Sequence, residues 1–432
     1  MTTDASPGRT GGCPQCRTDE RPGQLSRRSV LRALGVGAGT LGMAGLGLAD
    51  ARVAWADGPW TGDTLVVLSL RGGFDGLNAV APVGDPDYAV LRPSIGVPVA
   101  AALPLTSMFG FHPALAALKP HWDAGRLAAV HATGLPSPNR SHFEAMDEIE
   151  RAAPGTSLRS GWLDRTLALH DSSGPFSGVQ LGSSSMPLSL AGPVEVLGMD
   201  SLTNFGLDGV DNEADRARWS AALTALHSDA TPALRGSAAV TLAALGTAAG
   251  FTDTYAPAGG ATYPDSDLGR TLKDVAQLIK ADVGARVVTL DEGDWDMHAG
   301  LGTTGSGWQH DKLLDLGRAL DAFATDLGPV LDRVTLVTLS EFGRRAQENE
   351  SHGVDHGWGN VMLVLGGHVN PGVHGTWPGL ADALLTAGDL TATTDYRAVL
   401  ADILAHRCAA DTASLQSVFP GFTGATIGVT AP

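Results

Sequence analysis

Cysteine is close to absent from this chain: Cys13, Cys16 and Cys408 are the only three in 432 residues. Cys13 and Cys16 make a single C-x-x-C inside a segment that reads as a removable leader, and one such pair without a second is a weak zinc signature. With only Cys408 left, no disulfide can brace the remainder, so a hydrophobic core must hold it together. Basic residues are scarce as well, 29 against 46 acidic ones. The first 56 residues hold seven of the basic and four of the acidic residues, so the rest carries a formal charge of −20. That balance argues against nucleic acid or an anionic membrane surface as a partner. A long apolar run is also missing. The nearest thing to one, residues 33–49, has six glycines in its seventeen positions, which is short and weakly apolar for a stable membrane span.

What that stretch does fit is an export signal. Residues 1–25 are polar, Ser26-Arg27-Arg28-Ser29-Val30-Leu31-Arg32 has the twin-arginine pattern, and Ala54-Trp55-Ala56 offers a small-x-small cleavage site. The expectation is a leader over 1–56, export by the twin-arginine route, and a periplasmic, cell-surface or extracellular location. That route carries folded proteins, often with a metal or cofactor already loaded.

The remaining chain, 57–432, reads as a single α/β domain. Thr64 to Leu70 is a buried strand, followed by Arg71-Gly72-Gly73-Phe74-Asp75-Gly76 as the loop leaving it. A second strand is expected over 126–132. Apolar spacing predicts helices from Asp267 to about Lys280 and from Gln309 to Leu327, with strands over 286–290, 334–340 and 361–365 and a last helix over 396–406. Strands alternating with helices predict a mostly parallel, doubly wound sheet flanked by helices. Residues 151–262 are the least regular part and suit an inserted cap or subdomain, with amphipathic helices over 213–227 and 233–248 whose apolar residues look like core.

Polar residues collect just beyond the strand ends: Asp75; Ser141 and His142; Asp294, Asp296 and His298; Glu341 and Arg344; Asp355 and His356. In open α/β sheets ligands bind at the carboxyl ends of strands. Carboxylates mixed with imidazoles form the ligand set of zinc, or of sites that take manganese, magnesium or calcium. Ser141 has two readings. With Glu144 it makes an S-x-x-E capping box, and at a helix N-terminus it is also placed as a nucleophile toward an anionic substrate.

The stretches L-S-L-R-G-G-F-D-G-L-N, N-R-S-H-F-E-A, G-D-W-D-M-H, L-S-E-F-G-R-R and V-D-H-G, in this order behind a twin-arginine leader, resemble the exported bacterial family called domain of unknown function 1501. That family is similar to the alkaline phosphatase and sulfatase superfamily. The resemblance implies an alkaline-phosphatase-like fold with one or two divalent ions at the strand ends. It assigns Asp75, Asp296 or Asp294, His298, Glu341 and His356 as ligands, with Asp355 beside them. Ser141 takes the nucleophile's place, and Arg344 and His142 become substrate contacts. Two departures stand out: Phe342 occupies the position where the superfamily commonly has a ligand His, and Asp294 stands where the family usually has Gly. The function implied is an exported metal-dependent hydrolase of small-molecule or polymer-borne phosphate or sulfate esters. The alternative is a non-catalytic scaffold that binds a partner protein in the envelope.

Overall fold

The structure is a computed structural model, and it describes residues 62–431 apart from 171–173, 208–209, 211, 249 and 252–253. The expected leader, with Arg27, Arg28, Cys13 and Cys16, lies outside the described residues. Among those described, no helix is long and apolar enough to cross a membrane.

Nine strands form one sheet: β1 (Thr64–Leu70), β2 (Leu127–Gly134), β3 (Gly178–Leu181), β4 (Leu197–Met199), β5 (Val287–Glu292), β6 (Val334–Leu339), β7 (Asn360–Gly366), β8 (Gly372–His374) and β9 (Thr394–Asp395). Their order is β8-β2-β7-β6-β1-β5-β3-β4, with β9 also pairing with β2. Every pairing is parallel except those of β7, which runs against both β2 and β6. The mostly parallel sheet is therefore as expected, with one reversed strand. Its reversal follows from the connection: residues 340–359 contain no helix, and parallel neighbours need a crossover that carries the chain back to the starting edge.

Successive strand side chains alternate between the two faces, and each face has its own core. Val66, Leu68, Val288, Leu290, Leu336 and Leu363 pack against helices Asp267–Lys280 and Trp308–Leu327. Leu65, Val67, Val287, Val337 and Val364 pack on the other face, against helices His142–Arg151 (α1) and Tyr396–Arg407. This two-sided burial explains why the strands read as unbroken apolar runs.

Within 151–262, two short segments extend the sheet as β3 and β4, which the composition of that stretch did not suggest. Helix Glu213–His227 buries none of its residues, and Leu226 is exposed, so its apolar side chains are not core as expected. Among the described residues of helix Pro232–Ala248, Ala244 and Ala248 are buried in the core and Val240 and Leu245 pack against it.

Candidate metal centre

Four strand-end segments meet beyond the sheet. The loop after β5 arrives through a simple alternation: Trp295 and Met297 are buried, so Asp296 between them and His298 after them face outward. Trp295 is wedged edge-on against Phe74 with ring centroids 4.8 Å apart, which fixes this loop to the one after β1. Helix α1 begins at His142, one residue past its cap. The loop after β6 folds back on itself: Gly343 N donates to Trp358 O and Gly357 N to Gly343 O, both at 2.9 Å. A Cβ on Gly343 would lie 1.9 Å from Gly359 O, so glycine is required for this approach. The pinch brings Glu341 and His356 to the same ring, His142, although 15 positions separate them in sequence.

At the centre of the cluster is Oδ1 of Asp296. His298 Nε2 lies 3.0 Å from it, His356 Nε2 3.1 Å and His142 Nε2 3.5 Å. His356 Nε2 is in turn 2.9 Å from Nε2 of both His142 and His298. The other nitrogen of each ring is taken by an oxygen. His142 Nδ1 meets Glu341 Oε1 at 2.7 Å, His298 Nδ1 meets Asp355 Oδ1 at 3.0 Å, and His356 Nδ1 meets the carbonyl of Arg140 at 2.9 Å. An oxygen acceptor at Nδ1 puts the ring proton there and leaves a lone pair on Nε2. Three lone pairs and a carboxylate oxygen then face one another, an arrangement that repels itself unless a cation lies among them.

The residues fit a divalent cation. His142 Nε2, His356 Nε2 and Asp296 Oδ1 are mutually 2.9, 3.1 and 3.5 Å apart. Ligand atoms around tetrahedral zinc are separated by about 3.4 Å, given metal–ligand bonds of about 2.1 Å. Charge agrees as well: Asp296, Glu341 and Asp355 against the Arg344 guanidinium, with neutral imidazoles, sum to two negative charges. Two imidazoles and a carboxylate with the mouth open to solvent resemble a catalytic donor set more than a closed structural one.

The sequence-derived candidates divide by position. His142, Asp296, His298 and His356 form the cluster itself. Glu341 is buried and also accepts from Gly72 N at 2.8 Å, so it orients His142 from behind. Asp355 does the same for His298, and the hydrogen bond from that ring is the chief cause holding its carboxyl below the usual range. Arg344 is fully buried, donating to the carbonyls of Gly72, Gly73, Trp295 and Val354 and to Asp296 Oδ1 at 2.7 Å. Its donors are committed to the protein, not turned to solvent for an oxyanion. Burial would raise the Asp296 carboxyl, but the hydrogen bond and positive charge of Arg344 outweigh it and bring it down to about 2. Ser141 caps α1, its hydroxyl accepting from Glu144 N at 3.5 Å, while Asn139 Oδ1 takes the Ser141 N–H that a full capping box would give to Glu144.

Two candidates sit elsewhere. Asp75 is buried, bound by Arg92 Nη1 at 2.7 Å and Gln309 Nε2 at 3.1 Å, and among the described residues it makes no hydrogen bond or ion pair to the imidazoles of the cluster. Asp294, in a left-handed turn with φ 63°, faces a neighbouring acidic cleft of about 900 Å³. Phe342 packs its ring 4.8 Å from those of both His142 and His356, forming an apolar wall. Sequence reasoning missed Arg140, whose backbone carbonyl orients His356; only its place in N-R-S-H-F-E pointed toward it.

Fold and cluster together define an α/β protein with a candidate single-cation centre at the carboxyl end of a mostly parallel sheet. The chain belongs to the family described as "Protein of unknown function (DUF1501)", whose model matches residues 63–406. A comparison with curated proteins gives no match. Similar solved structures include the C-terminal periplasmic domain of EcEptC from Escherichia coli in complex with Zn, 9% identical, covering 71% of this chain and 73% of that one with a TM-score of 0.28. The PsFucS1 sulfatase from Pseudoalteromonas sp. is 10% identical over 81% of this chain and 68% of its own, TM-score 0.32. Alkaline phosphatase from the Antarctic bacterium TAB5 is 11% identical over 71% and 92%, TM-score 0.28.

Proposed function

We propose that this chain is an exported hydrolase of phosphate or sulfate esters that works with one divalent cation held by His142, Asp296 and His356. The observation that carries the reading is the set of Nδ1 anchors, which turn three imidazole lone pairs toward one carboxylate oxygen. Two nitrogens and one oxygen favour zinc, with manganese as the next fit. When bound, the cation supplies Lewis acidity and a lowered pKa for water at that point.

The protein's own groups do the rest. Glu341 and the Arg140 carbonyl hold two ligand rings, and Arg344 fixes the third ligand's carboxylate. His298, the most exposed ring of the cluster, is oriented by Asp355 and exchanges a proton with the ester oxygen or water at Nε2. The first N–H groups of α1, beside His142, stabilise an ester oxyanion. Phe342 stands where the related superfamily commonly has a ligand His and packs its ring against His142 and His356, which supports one ion over two.

The test begins with elemental analysis of protein purified without chelator, followed by assays with 4-nitrophenyl phosphate and 4-nitrophenyl sulfate. The expected result is about one bound zinc or manganese per chain and turnover of one ester, both lost in Asp296→Ala. A metal-free protein, or a loaded one inert toward both esters, overturns the reading and favours the envelope-scaffold alternative.

A further inference from the structure

Counting a divalent cation, the cluster around Asp296 is electrically neutral, so positive charge that attracts an anion has to come from its surroundings. One such source is built beside it. Thr386 and Asp389 pair across a two-residue turn in which Ala387 and Gly388 both have positive φ, 52° and 85°. The turn buries Asp389 completely. Arg140 grips Oδ2 of this carboxylate through Nε at 3.0 Å and Nη2 at 2.5 Å. Arg345 faces the other oxygen, its Nε 3.7 Å from Oδ1, while its Nη2 donates to Ala387 O at 3.1 Å. A Cβ on Gly388 would lie 3.2 Å from Arg345 Nη1, so the glycine makes room for that guanidinium.

Both arginine side chains remain 39% exposed, and Asp389 Oδ1 has no hydrogen-bond partner. One buried carboxylate is neutralised by one arginine, and the second is a surplus charge. Both residues adjoin the cluster: the Arg140 carbonyl accepts from His356 Nδ1, and Arg345 N donates to the Asp355 carbonyl at 2.9 Å. In a chain with a formal charge of −17, two partly exposed arginines held on one carboxylate are a local exception. Their planar forks match phosphate, sulfate or carboxylate oxygens.

We propose that Arg140 and Arg345, set in place by Asp389, form an anion subsite on the rim of the metal centre that selects esters bearing a second anionic group. The inference rests on the hydrolase reading for its substrate and deepens it, since a simple monoester would leave the subsite unfilled.

The experiment titrates the metal-loaded protein calorimetrically with inorganic phosphate and with fructose 1,6-bisphosphate. The wild type is expected to bind the bisphosphate at least about ten-fold more tightly. In Arg345→Met that ratio falls about ten-fold, and Arg345→Lys recovers part of it, with unfolding midpoints verifying that both variants fold. Equal affinity for the two anions in the wild type, or a ratio unchanged in Arg345→Met, overturns the proposal. A protein that shows the ratio yet hydrolyses neither aryl ester retires the hydrolase reading and leaves the subsite standing.

Discussion

Asp75 and Glu341 are both buried carboxylates just past a strand end, and their neighbours give them different work. Asp75 is the counter-ion of Arg92, whose side chain also donates to the carbonyls of Arg345 and Ala346. Removing one partner of a buried ion pair strands the other charge and typically costs about 3–5 kcal/mol. Asp75→Ala is therefore expected to lose stability of that order in urea unfolding, while the folded fraction keeps its full metal content by elemental analysis. Stability near that of wild type, or loss of the metal, would contradict the assignment. Glu341 touches the cluster through His142, and outer-shell partners of metal-bound histidines typically contribute about 10–100-fold in affinity. Glu341→Gln is expected to weaken zinc binding within that range in a chelator competition, and His142→Ala to weaken it further. His298→Ala should retain the metal and lose turnover, because that ring is placed to move a proton; a parallel loss of zinc would make it a ligand instead.

Strands β1, β5 and β6 were legible in the sequence because each is buried on both faces and reads as a continuous β-branched run ended by a polar residue. The pairing of their end loops was not, since it depends on Gly343 meeting Gly359 and on Arg344 reaching carbonyls of two other loops. Nor could spacing separate His142 as a cluster member from a substrate contact, or Asp75 from a ligand, because Arg92 and Gln309 lie 17 and 234 positions away. β3 and β4 were missed because four- and three-residue strands carry too little pattern. Strand β2 brings a titration with it. His131 is enclosed between Phe109 and Trp377 with both ring nitrogens bonded to backbone, and burial lowers its pKa to about 4. Burial does the same to His112, again to about 4. Below about pH 6.5 the unfolded chain takes up protons that the folded chain refuses until about pH 4, so stability falls as pH drops through that window. Asp164 acts in the opposite sense: burial raises its carboxyl to about 6, so stability is gained as pH falls below that value. At about 1.4 kcal/mol per pKa unit, the two histidines outweigh the single aspartate. The chelator-treated protein should lose roughly 2–3 kcal/mol from these three groups between pH 7 and pH 5. His131→Leu should show a loss smaller by about 2 kcal/mol in urea midpoints at the two pH values, and an identical pH dependence would rule out the buried histidine as its source.

Across the whole molecule, the mostly parallel sheet and the position of the centre at its carboxyl edge could be anticipated, because hydrophobic patterning and the rule for ligand placement in open α/β sheets act over the entire chain. Which side chains converge there could not, since the cluster draws on residues 142, 296, 298 and 356, which are brought together only when both helical layers and the reversed strand β7 are in place. That separation gives the centre a thermodynamic consequence. An unfolded chain has no means of holding His142, Asp296 and His356 within a few ångström, so a cation that needs all three binds the native state alone. Native-state binding stabilises by about 2.7 kcal/mol when free cation reaches about 100 times its Kd. Urea unfolding with zinc or manganese in that excess is expected to exceed unfolding in chelator by this amount, and the difference should disappear in Asp296→Asn, which keeps the shape of the residue and removes its charge. Arg344→Met should also abolish the gain, and with a larger loss in chelator alone, because it frees four backbone carbonyls along with the ligand. If unfolding is the same in chelator and in saturating cation, the imidazoles are held by protons and not by a metal, and the centre belongs to a binding scaffold.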